Sequence, residues 1–110
     1  MLTNKTLNLS VNLQIVELKG FKEKSLGAIL TKKSAALFFN TRFGIHTFFI
    51  KRKLDVVILD NKGRVVKFKE ALAPNSLFLW NPKYSNVLEL PFGIIKKLKL
   101  KNGHILIFNL

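Results

Sequence analysis

The chain has 110 residues, with 19 Lys and Arg against 6 Asp and Glu, a formal net charge of +13, and 48% hydrophobic residues. The absence of Cys excludes a disulfide framework, Cys-ligated zinc, iron–sulfur clusters and thiol chemistry. A chain this apolar is not of the disordered type despite its charge, and its length predicts one domain over residues 1–110 with a core of its own.

In chain order, Leu7, Leu9, Val11, Leu13 and Ile15 alternate with Asn8, Ser10, Asn12 and Gln14, which predicts a strand with one buried face. The alternation changes phase at Ile15-Val16, as a bulge or a move to another sheet would require. Residues 21–31 carry Phe21, Leu26, Ile29 and Leu30, predicting a short helix weakened by Gly27. Apolar bursts at Ala35–Phe39, Ile45–Ile50, Leu54–Leu59 and Val65–Phe68 predict strands. Between the last two, Asp60-Asn61-Lys62-Gly63 predicts a hairpin loop, after which Val66 and Phe68 face inward while Lys67 and Lys69 face water. Leu77–Trp80 and Val87–Leu90 follow as strands after breaks at Pro74-Asn75 and Asn81-Pro82. Pro91 suits the first turn of a helix whose buried stripe is Ile94, Ile95 and Leu98, and Asn102-Gly103 turns the chain into a last strand, His104–Phe108. About eight short strands and one or two short helices predict an all-β domain, a compact sandwich or barrel.

The charge is carried by 16 Lys and 3 Arg spread along the whole chain. Scattered Lys gives a diffuse field, whereas specific phosphate or base recognition favours Arg forks. Two explanations stand: a solvated surface in a sequence biased toward Lys, Asn, Ile and Phe, or an anionic partner such as nucleic acid or another polyanion. The N-terminal MLTNKTLNLS lacks the pattern of a secretory signal, and no window approaches the ~18 apolar residues that cross a bilayer. A cytoplasmic location without a membrane span is expected.

Three stretches resemble a known family. They are Gly44-Ile45-His46-Thr47-Phe48-Phe49-Ile50 leading into Leu54-Asp55-Val56-Val57-Ile58-Leu59-Asp60, then Lys62-Gly63-Arg64-Val65-Val66, and Val87-Leu88-Glu89-Leu90-Pro91-Phe92-Gly93. With Leu26-Gly27 upstream and Gly103 near the end, the pattern over residues 10 to 108 is similar to the uncharacterised prokaryotic family catalogued as domain of unknown function 192. The resemblance implies a compact, jelly-roll-like β-sandwich and no established activity; many relatives carry a signal or lipid-anchor segment. Where the family pattern carries Met or Pro before its aspartate, this chain has Ile50-Lys51-Arg52-Lys53-Leu54-Asp55, three consecutive cations.

The motifs carry three polar side chains, His46, Asp55 and Glu89. Converging in a small pocket, they would suit proton transfer. The favoured alternative has Asp55 accepting from backbone N–H groups at a strand crossing and His46 satisfying a nearby carbonyl. No Gly-x-Ser-x-Gly elbow or Gly-rich phosphate loop occurs, and two His without Cys make a weak metal inventory, so no cofactor and no metal are expected. Lys51, Arg52 and Lys53, helped by Lys67 and Lys69 across the hairpin, are the expected basic face for an anionic partner. Phe38, Phe39, Phe43, Phe48 and Phe49 either supply outward rings beside that face, as on a platform for single-stranded nucleic acid, or are covered on both sides, the favoured reading. Trp80 and Tyr84 in a loop offer a contact patch for carbohydrate, peptide or a protein partner, or equally a plug over the core's open end. The sequence therefore points to a non-enzymatic binding or accessory module, with a small-pocket enzyme and a docking domain as its alternatives.

Overall fold

In the computed structural model of the chain, which describes residues 1–18, 35–48 and 51–110, the apolar run Leu54–Leu59 is a strand with every side chain buried. Such a run, rather than an alternating one, marks a strand covered on both faces. Ten strands and one helix form among the described residues. They are β1 (Leu2–Asn4), β2 (Leu9–Val11), β3 (Gln14–Glu17), β4 (Ala35–Asn40), β5 (Gly44–His46), β6 (Leu54–Leu59), β7 (Val65–Leu72), β8 (Leu77–Leu79), β9 (Asn86–Pro91), α1 (Ile94–Leu98) and β10 (Leu106–Phe108). A five-stranded sheet in the order β3-β4-β9-β6-β7 forms the middle, with a three-stranded sheet β10-β1-β2 and a two-stranded ribbon β5-β8. The class is all-β as expected, built from open sheets and not closed into a barrel.

Two apolar clusters lie on the two faces of the central sheet. Val57, Leu59, Leu88 and Leu90 pack with Leu2, Leu106, Ile95 and Leu98, joining the central sheet to the three-stranded sheet and α1. Val56, Ile58, Leu37 and Val87 pack with Phe78 and Trp80, joining it to the ribbon. The phase slip at Ile15-Val16 now has a cause: Ile15 packs against the first cluster and Val16 against the second. The change of sheet itself lies slightly earlier, between β2 and β3.

The hairpin loop between β6 and β7 forms as expected, with Gly63 at φ 81. The expected strand over 45–50 is short, β5 ending at His46, and residues 49 and 50 lie outside the described residues. So does the expected helix over 21–31. Pro91 does not open α1 but closes β9, paired with Leu54, and the helix starts at Ile94 after Gly93 at φ 99. Its buried residues are the expected Ile94, Ile95 and Leu98.

Candidate functional site

The three motif side chains begin on neighbouring elements and end in different environments. Asp55 sits on β6 opposite Leu90 of β9, and Glu89 sits on β9 opposite Val56. Residues paired across a ladder share a face, and adjacent residues alternate, so Asp55 and Glu89 point to opposite faces of the same sheet.

Asp55 is wholly buried and has three backbone partners. A register shift between β6 and β7 leaves Glu70 and Ala71 across from it, with Ala71 in the left-handed region at φ 53. That bulge turns the Ala71 N–H out of the ladder, and it donates to Asp55 Oδ1 at 2.9 Å. On the other oxygen, the N–H groups of Gly93 and Ile95 donate to Oδ2 at 3.0 Å each. Gly93 has no side chain to cap α1, so Asp55 takes that role from 38 residues away. The carboxylate thus joins a bulge, a strand and a helix start, accepting backbone N–H groups on both oxygens.

Glu89 is buried to 6% exposure beside Leu37 and Val56, and its Oε1 has no hydrogen-bond partner. Burial in this apolar setting pushes its pKa up to about 7. His46 stands on the exposed side of the ribbon, its ring stacked on Phe48 at 4.7 Å between centroids. The alternative in which His46, Asp55 and Glu89 converge in one pocket is not formed: one is on the ribbon, and the other two are separated by the sheet. A cleft of about 340 Å³ opens at the far end of β6, between the Asp60–Arg64 loop and Lys83–Ser85, away from all three. His104 is likewise engaged elsewhere, its Nδ1 accepting from the buried Asn4 side chain at 3.1 Å and from the Lys101 N–H at 3.2 Å. No group of three His, Asp or Glu side chains gathers among the described residues.

Lys51 and Lys53 are exposed at the head of β6 and Arg52 is half-buried. The Lys53 ammonium lies 5.8 Å from the centre of the Phe92 ring, itself 54% exposed. Lys69 is exposed and paired with Val56, whereas Lys67 is paired with Ile58 and directs its ammonium to the Leu79 carbonyl at 2.7 Å and over the Phe78 ring at 5.2 Å. Lys67 is thereby tied to the ribbon. Of the two readings of Trp80 and Tyr84, the contact patch does not form: Trp80 is buried against Phe78, its indole N–H donating to the Tyr84 carbonyl at 2.8 Å, and Tyr84 is half-buried. Both belong to the plug reading.

The match to known proteins agrees with this framework. The model of the family DUF192, described as "Uncharacterized ACR", matches residues 17–108. The chain belongs to DUF192. Among curated relatives, the UPF0127 protein PH1112 of Pyrococcus horikoshii is 29% identical over 109 residues, which is 94% of each chain. Two solved structures share the DUF192 chain's fold. A Sinorhizobium meliloti protein provisionally named a transcription regulator aligns with a TM-score of 0.77 at 16% identity, covering 96% of this chain and 88% of its own. A Novosphingobium aromaticivorans protein of unknown function aligns with a TM-score of 0.73 at 15% identity, covering 87% and 75%. Asp55, Glu89 and Gly93 all lie within the matched span, which gives the DUF192 pattern a physical content here: the aspartate and the glycine meet at the start of α1.

The sequence reading missed two features. The unpaired state of Glu89 depends on neighbours from other strands and leaves no local trace. The outward Leu77 and Leu79 did leave one, because the unbroken run Leu77-Phe78-Leu79-Trp80 must point alternate residues away from the core.

Proposed function

We propose that this chain is a single-domain, non-enzymatic binding module of the cytoplasm, with Lys51, Arg52 and Lys53, extended by Lys69, forming a basic face for an anionic partner. The observation that carries the reading is the pairing of exposed cations with an exposed ring at one rim of the central sheet, where the Lys53 ammonium lies over the Phe92 ring. Lys51, Lys53 and Lys69 form no ion pair among the described residues, so their charge is available to a ligand. Lys69 pairs with Val56, three residues past Lys53, which places it about 10 Å along the strand from the triplet. Cations beside a partly exposed aromatic ring suit single-stranded nucleic acid, whose phosphates meet the lysines and whose bases stack on rings. Asp55, the motif acid nearest this rim, is occupied by three amides and adds no competing catalytic role.

The test is a titration of a labelled single-stranded oligonucleotide at low salt against wild type and a Lys51→Glu/Lys53→Glu/Lys69→Glu variant. The expected result is a loss of affinity of about tenfold or more, with a shallower salt dependence. Equal binding by both proteins would contradict the proposal.

A further inference from the structure

The ribbon has an inner and an outer face. Gly44 pairs with Leu79, Ile45 with Phe78 and His46 with Leu77. Ile45 and Phe78 pack into the core, so Gly44, His46, Leu77 and Leu79 form the outer face. Leu77 and Leu79 are 63% and 61% exposed there, and Phe48, stacked on His46, is 48% exposed. Gly44 is required beneath them, because a Cβ on it would lie 2.4 Å from Leu79 Cδ2 and 2.7 Å from the Phe78 carbonyl oxygen.

Next to this face, Phe43 breaks the alternation. The Trp80 N–H donates to the Phe43 carbonyl, continuing the ladder, so Phe43 belongs by parity on the inner side with Trp80. Instead its φ is 76, and its side chain is 67% exposed. A bulky residue in the left-handed region is strained by roughly 1 kcal/mol or more, and such strain clusters where a surface is used. Here the strained backbone leaves a phenyl ring exposed where alternation would bury it with Trp80.

We infer that the outer face of the β5-β8 ribbon docks a short protein segment carrying apolar side chains flanked by Asp or Glu. Size argues for a segment. With ordinary side-chain areas, Phe43, Phe48, Leu77 and Leu79 present on the order of 500 Å², at the upper end of a monomer's largest patch and short of the ~800 Å² per side of a standard globular interface. Charge argues for an acidic one: each copy carries +13, which disfavours a second copy as occupant, and Lys67 stands at the rim on the Leu79 carbonyl. The mode is side-chain docking on the face. The Trp80 and Thr47 N–H groups bond Phe43 and Ser76 across the ribbon, so the intervening Leu79 carbonyl points outward, and Lys67 occupies it. A guarded carbonyl of this kind opposes strand addition at that edge.

The experiment pans a random displayed-peptide library against the folded full chain and measures the enriched peptides against a Leu77→Ser/Leu79→Ser variant. Both positions are exposed, so the variant keeps its circular dichroism and melting temperature. Expected are enriched peptides with Leu, Ile, Phe or Trp beside Asp or Glu, bound about tenfold or more weaker by the variant. The Lys51→Glu/Lys53→Glu/Lys69→Glu protein keeps their apolar contact, which separates this surface from the basic face. The inference is overturned by a library that enriches nothing. It is also overturned by peptides that lack acidic residues or bind the variant equally, or by concentration-dependent self-association of wild type that the variant abolishes.

Discussion

Asp55 and Glu89 are carboxylic acids on adjacent strands of one sheet, both inside the protein, and their surroundings differ in one respect. Asp55 receives three backbone N–H groups, supplied by the bulge at Ala71 and the start of α1. Glu89 faces Leu37 and Val56 and leaves Oε1 without a partner. The contrast teaches that burial alone does not decide what a carboxylate does; the supply of donors does. One acid holds three elements together, while the other is driven toward its neutral form.

The largest effect is expected at Asp55. Asp55→Ala removes the acceptor of three amides, two of them at a helix start with no local cap, and should destabilise the fold by about 4 kcal/mol in urea unfolding. Against a typical total of roughly 5–15 kcal/mol, that leaves the variant close to unfolding. A loss below about 1 kcal/mol would break the contrast, because Asp55 would then be as dispensable as Glu89.

Glu89 should behave in the opposite sense. Its folded pKa is raised to about 7 from an ordinary value of 4.5, so the folded state holds the proton more tightly than the unfolded state. The stability this group contributes is complete below pH 4.5, falls as pH rises, and is lost once pH passes about 7. Glu89→Gln, which cannot ionise, should flatten that dependence and stabilise the protein at pH 8 by up to about 3 kcal/mol. Thermal melts at pH 5 and pH 8 check the sign; a variant less stable than wild type at pH 8 would show that Glu89 has a partner in solution.

The smallest effect is the coupling between the two. Because they lie on opposite faces of the sheet, an Asp55→Asn/Glu89→Gln double-mutant cycle should be additive within about 0.5 kcal/mol. A larger coupling would mean that the sheet transmits strain from one face to the other.

Much of this architecture is written locally. The run at Leu54–Leu59, the turn at Gly63 and the stripe Ile94, Ile95 and Leu98 follow from neighbours a few residues apart, and each forms where expected. The start of α1 does not follow locally: Pro91 is drawn into the ladder opposite Leu54, and the helix is capped by a side chain from another strand. β1 was not legible either, since Leu2–Asn4 becomes a strand only between β2 and β10, more than 90 residues away in the latter case. At the site, the motif identified the polar residues and the favoured role of Asp55, but sheet parity separated Asp55 from Glu89. The outward turn of Phe43 defies alternation altogether, because it rests on one left-handed residue.

On the proposed reading, Asp55 shapes the fold, Glu89 touches no partner, and the lysine rim meets the anionic ligand. The most direct measurement titrates one labelled single-stranded oligonucleotide against Glu89→Gln and Lys51→Glu/Lys53→Glu/Lys69→Glu side by side with wild type. Expected are wild-type affinity for Glu89→Gln and a loss of about tenfold or more for the lysine variant. Wild-type affinity for the lysine variant with a loss in Glu89→Gln would contradict it.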